Sequence, residues 1–219
     1  MNRLAIFDCD GTLVDSQVNI CLAMEDSFQR AGLVAPGRNA IRRIVGLSLL
    51  EAVYALAPDV EPALLTQLAA DYKGAFQRLR GKGLVEEPLF DGIAETLVAL
   101  ADAGWLLGVA TGKSDRGLAL CLEHHGITER FVTLQTADRH PSKPHPSMIH
   151  QAMADAGAIP ETTLMIGDTA FDIGMAIAAS ATAIGVSWGY HDAHELFAEG
   201  AHHVAEHPAD IVAFATAMK

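Results

Sequence analysis

The sequence predicts an α/β protein, a parallel sheet with helices on both faces, interrupted once by an all-helical segment. Two observations carry this reading. Short apolar, β-leaning runs recur at 4–7, 106–110, 131–134, 164–166 and 183–186, with a weaker one at 203–205. Helical patterns lie between them at 93–103, 114–125, 146–156, 171–179, 193–198 and 209–218. Continuous apolar runs are strands buried on both faces, and their alternation with helices implies a parallel sheet with right-handed crossovers. The second observation is that residues 16–88 show helical patterns at 18–31, 40–45, 50–57 and 63–79 and no strand run. Such a break in the βα rhythm reads as an inserted helical unit.

Taken in order, the first strand runs directly into Asp8-Cys9-Asp10-Gly11-Thr12. Residues i and i+2 of a strand share a face, so Asp8 and Asp10 lie side by side while Cys9 turns into the core. Two carboxylates that close raise one another's pKa and need a cation or a shared proton. The helical unit spans 16–88 and divides the α/β core into 1–15 and 89–219. Its exit, 81–88, carries Gly, Pro and charge, as a linker does. The small-residue stretch 176–185 reads as a tightly packed helix leading into a strand.

Half of the 219 residues are hydrophobic and 19% are charged, enough apolar side chain for a sizeable core. The formal charge of -12 argues against nucleic acid and against an anionic membrane surface. No apolar run approaches the ~18 residues of a membrane span, and the first residues lack the layout of a signal peptide. The three cysteines, Cys9, Cys21 and Cys121, have no CxxC spacing, and a reduced, cytoplasmic setting is expected.

Ligands of open α/β sheets bind beyond the carboxyl ends of the strands. Four such ends carry unusual chemistry: Asp8 to Thr12, then Thr111-Gly112-Lys113, then the segment holding Lys143, then Gly167 to Asp172. Asp8, Asp10, Asp168 and Asp172 place four negative charges against one positive charge from Lys143, a balance that would repel a phosphate. One divalent cation and a proton on Asp10 bring it to neutrality. A set of carboxylate oxygens selects Mg²⁺. Asp8 can then attack phosphorus, Asp10 can protonate the leaving oxygen and later activate water, and Lys143 and Thr111 can stabilise the transferring group. Asp172, four residues after Asp168, faces the same way and can order Lys143 or simply cap its helix.

The stretches DCDGTLVDS, ATGK, SKP and MIGDTAFD, in this order, resemble the four motifs of the haloacid dehalogenase superfamily of phosphohydrolases. The helical segment after the first motif resembles that family's C1 cap. The resemblance implies a Rossmann-like three-layer core, Asp8 as nucleophile and Asp10 as acid/base. It implies Thr111, Gly112 and Lys143 at the substrate phosphate. It also implies Mg²⁺ held by Asp8, Asp168 and the backbone carbonyl of Asp10, with Asp172 behind them. An acid at Asp10 favours phosphoester cleavage. LFDG, VATGKSDRGL, LQTAD and IGVSWGYH look most like phosphoglycolate phosphatases, making 2-phosphoglycolate the favoured substrate among small phosphorylated metabolites. A β-phosphoglucomutase-like phosphomutase, a pyrophosphatase and a non-catalytic phosphate-binding module use the same residues and stay open, as do monomer and homodimer.

Two departures stand out. Gly112 occupies a place where many relatives carry Asn, so a side-chain contact to substrate or cap is missing. ASATAIGV replaces a Gly-bearing turn. Outside the motifs, Lys113 reads as exposed, and the ten histidines as surface or cap-facing groups. Arg42 and Arg43 read either as ligands for a substrate carboxylate or as solvated helix charges.

Overall fold

A computed structural model describes residues 1–218. Six parallel strands form one sheet: β1 (Asn2–Phe7), β2 (Trp105–Thr111), β3 (Phe131–Thr136), β4 (Ala158–Gly167), β5 (Thr182–Val186) and β6 (His203–Ala205). Their order is β3-β2-β1-β4-β5-β6. β1 therefore lies between β2 and β4 at the point where the order reverses. That reversal opens a crevice at the carboxyl ends of these three strands.

The helices appear where the apolar spacing predicts them. Helices α1 (Gln17–Arg30), α2 (Arg38–Arg43), α3 (Leu49–Leu56) and α4 (Pro62–Gly81) follow β1 with no strand among them. Then come α5 (Ile93–Asp102), α6 (Asp115–His124), α7 (Ser147–Ala156), α8 (Ala170–Ala178), α9 (Ala193–Glu199) and α10 (Pro208–Ala217). The period-2 pattern of β1 sorts the core. Ala5 and Phe7 pack with α5, α6 and α10 residues such as Leu97, Leu122 and Ile211, while Leu4 and Ile6 pack with Met148, Ile173 and Leu196 from α7, α8 and α9. The result is three layers. Helices α1–α4 bury a cluster of their own, built on Met24, Phe28, Ile41, Val53 and Leu68.

β4 is ten residues long, well beyond the three-residue apolar run that marks it in the sequence. Its first half is half-buried and carries Pro160 and Glu161, and its pairing with β1 shifts register there. A Pro and an irregular register suit a partly exposed strand end, so only the buried half is written as an apolar run. No helix among the described residues is long and apolar enough to cross a membrane.

Candidate active site

The Asp8 N–H donates to Ile166 O at 2.9 Å, extending the β1–β4 ladder one residue past the strand. The chain then folds back, with the Leu13 and Val14 N–H groups donating to Cys9 O at 2.9 and 3.0 Å. Gly11 makes the turn at φ +84°, and a Cβ there would overlap the Asp168 carboxylate and the Tyr190 ring. Only glycine meets both demands.

Asp8, Asp168 and Asp172 converge, each offering a carboxylate oxygen within 4.8 Å of the others. All three are fully buried. Asp168 Oδ1 accepts from Thr12 Oγ1 and Oδ2 from the Tyr190 N–H, each at 2.9 Å. Asp172 Oδ1 accepts from Lys143 Nζ at 2.6 Å, and its Oδ2 accepts from the Thr169 hydroxyl and N–H, capping α8. Both alternatives for Asp172 are thus realised by one side chain. Asp8 differs: Lys143 Nζ stands 2.9 Å from its Oδ1, but neither oxygen accepts an aligned hydrogen bond. Burial pushes the Asp8 carboxyl up to about 7 despite Lys143, and pushes Asp168 well up, with Asp172 and Asp8 adding to the rise. Burial works against the charge of Lys143, yet Asp172 and Asp8 outweigh it and hold the ammonium protonated. Three buried carboxylates against one ammonium leave a deficit of positive charge. An orphaned carboxylate beside a second one, all-oxygen donors and no imidazole or thiol in the cluster fit a hard divalent cation such as Mg²⁺.

Asp10 lies outside that cluster. Its Oδ1 accepts from Ser16 Oγ and stands 2.8 Å from Lys113 Nζ. Lys113 also bonds Glu87 Oε1 at 2.6 Å, and Glu87 in turn meets Arg80 of α4 at 3.3 Å. Lys113 is therefore not the exposed lysine the sequence suggests; its side chain is 10% exposed and joins Asp10 to the exit of the helical segment. The paired acids of the first motif are relieved by two separate lysines, Lys143 for Asp8 and Lys113 for Asp10.

Asp8 and Asp10 form the floor of a cavity of about 680 Å³ together with Thr111, Gly112 and Lys113. Thr111 ends β2 with its hydroxyl accepting from the Lys113 N–H at 3.2 Å; the α6 cap is Ser114, whose Oγ accepts from the Gly117 N–H. Thr111 is thereby left to the cavity. The roof is the helical segment, seated directly on the core. A Cβ on Gly112 would stand 2.5 Å from Leu47 O and 2.8 Å from Gly46 O. The space a side chain at 112 would take is filled by roof backbone. The Ser48 N–H donates to Ser142 Oγ at 2.8 Å, and His191 bridges Ala170 N–H and Arg43 O. Arg43 forms a two-pronged pair with Glu195 of α9, and Arg42 donates to Asn39. Neither arginine is among the residues that line the cavity.

A family model described as haloacid dehalogenase-like hydrolase matches residues 5–186. The chain belongs to this family. Within it, the chain is 36% identical to a protein named probable phosphatase IndB from Dickeya dadantii, over all of this chain and 95% of that one. It is 28% identical to a phosphoglycolate phosphatase of Vibrio vulnificus, over 96% of this chain and 94% of the relative. A haloacid dehalogenase-like hydrolase of Streptococcus pneumoniae superposes with a TM-score of 0.84 at 25% identity, covering 97% of this chain and 98% of that structure.

Sequence reading missed Glu87, Ser16, Tyr190 and the engaged state of Lys113. Glu87 lies in a charged linker and carries no local signal. Lys113 carries one: it precedes the N-terminus of α6, where a positive charge is disfavoured unless a specific anion holds it. Cys9 falls where the period predicts, buried with its sulfur 3.9 Å from that of Cys121, and that contact together with burial holds the Cys9 thiol well above its ordinary pKa.

Proposed function

We propose that the protein is a Mg²⁺-dependent phosphatase that hydrolyses a small phosphomonoester through a phosphorylated Asp8. The observation that carries this reading is the Asp8 carboxylate, buried, free of hydrogen bonds, and open to the cavity beside a lysine and a second acid. Asp8, Asp168 and the Asp10 carbonyl would hold the metal, with Asp172 fixing Lys143 behind them. The bound ion supplies positive charge that lets an anionic ester approach the carboxylates.

An Asp8 oxygen attacks phosphorus as the P–O bond to the alcohol breaks, and Asp10 gives its proton to the departing oxygen. Asp10 then takes a proton from the water that attacks the aspartyl phosphate, releasing inorganic phosphate and restoring Asp8. Thr111 and Lys143 bind the transferring oxygens. Helices α1–α4 serve as a cap domain, residues 16–88, over a core of 1–15 and 89–219, and exclude water while closed. Conserving the family's chemistry in a reduced, cytoplasmic setting suits a chain whose thiols are unpaired.

The test is phosphate release from a panel of esters that includes 2-phosphoglycolate, the substrate named for the Vibrio relative, with Mg²⁺ and with EDTA. Mg²⁺-dependent release that Asp8→Asn abolishes is the expected result. Turnover in EDTA, or substantial activity in the Asp8→Asn variant, would overturn it. Isomerised sugar phosphate in place of free phosphate would point to a phosphomutase.

A further inference from the structure

The geometry assigns the substrate an alcohol with a bulky apolar or aromatic body, recognised by the helical roof and not by a cation. This rests on the phosphatase reading above and narrows it. A cavity of about 680 Å³ is far larger than a two-carbon acid requires. Pockets of about 300–1,000 Å³ hold ligands of drug size. The phosphate site at Asp8 fixes one end of the ester, so the remaining volume, under α1 and α4, receives the alcohol.

One wall of that volume is apolar. Ile20 and Met24 project from α1, and Tyr72 and Phe76, four residues apart on α4, form an aromatic pair with ring centroids 5.8 Å apart. Burying an apolar body against such a wall is favourable in proportion to its area. A substrate carboxylate, by contrast, finds no unpaired buried cation in the lining of this cavity. Lys113 is held by Asp10 and Glu87, and Arg80 by Glu87. The remaining basic lining residues, Lys73 and Arg116, are exposed at the rim. Asp10 and Asp138 add negative charge to the same cavity. A buried carboxylate with no partner is costly, so this lining rejects acidic alcohols as it accepts apolar ones.

The experiment compares kcat/KM of the Mg²⁺-loaded protein for unactivated esters of differing bodies: ethyl phosphate, 3-phenylpropyl phosphate and 2-phosphoglycolate, with p-nitrophenyl phosphate as a reporter of phosphatase chemistry. The phenylpropyl ester is expected to exceed the ethyl ester by about ten-fold or more, and to exceed 2-phosphoglycolate. Phe76→Ala, shown folded by circular dichroism, is expected to lower the phenylpropyl-to-ethyl ratio about five-fold. A ratio at or below one, 2-phosphoglycolate as the best ester, or a ratio unmoved by both Phe76→Ala and Tyr72→Ala would overturn the inference while leaving the phosphatase reading in place. No phosphate from any ester, the reporter included, would overturn both.

Discussion

Asp8 and Asp10 are two residues apart and chemically alike, yet their neighbours give them different properties. Asp8 sits fully buried among Lys143, Asp168 and Asp172, whereas Asp10 faces Ser16 and Lys113 at the cavity floor. Replacing Asp10 with Asn leaves Asp8 able to attack an ester whose leaving group needs no proton. With p-nitrophenyl phosphate we expect a burst of about one equivalent of p-nitrophenolate followed by turnover slowed about 10²–10⁴-fold, seen by stopped-flow absorbance. A steady rate with no burst would move the acid/base work to another residue. Asp168 tests the metal without reference to turnover. Mg²⁺ that binds the folded state raises its melting temperature, and the Asp168→Asn variant should lose that rise in a thermal scan; an undiminished rise would place the ion elsewhere.

At the scale of elements, the carboxyl ends of β1, β2 and β4 deliver the site, and turns aim it. Glycine is required at 11 because the turn lies at positive φ against Asp168. The turn between α8 and β5 is a counterexample. Ser180, in the stretch that departs from the family's Gly-bearing pattern, sits at φ +57° and is exposed. A non-glycine residue in that region costs about 1–2 kcal/mol, partly offset when glycine brings a freer unfolded chain. Ser180→Gly should therefore stabilise the protein by roughly 0.5–1 kcal/mol in urea titrations, with phosphatase activity retained. Unchanged or lower stability would show the turn to be relieved by its surroundings.

Across the whole molecule, the helical roof is joined to the sheet domain by Arg43–Glu195, Ser48–Ser142, the Gly112 contact and His191. His191 Nδ1 accepts from the Ala170 N–H at 3.1 Å, which leaves Nε2–H to donate to Arg43 O at 3.2 Å. The bond from Ala170 needs the neutral ring, whose Nδ1 can accept, and burial holds its pKa below the ordinary 6.5. A depressed folded pKa means that the contribution to stability is complete above pH 6.5 and is lost as pH falls through the lower folded value. An NMR titration should give His191 a midpoint below 6.5, and His191→Gln should flatten the fall of stability across that window. A midpoint at or above 6.5 would dissociate the ring from this joint.

By itself the sequence determined the sheet class, the helical interruption, and the residues Asp8, Asp10, Thr111, Lys143 and Asp168 as one group at strand ends. These were legible because buried strands and helical stripes have periods visible along the chain, and because strand ends of a parallel sheet share one edge. Only the tertiary structure decided that Lys113 is engaged with Asp10 and Glu87, that Arg43 binds the core, that Gly112 makes room for roof backbone, and that one wall of the cavity is apolar. Each of these depends on a residue meeting a partner tens of residues away across the roof and core. A charged residue reads the same in sequence whether it faces water or a buried counter-ion, and only the approach of the two parts separates those cases.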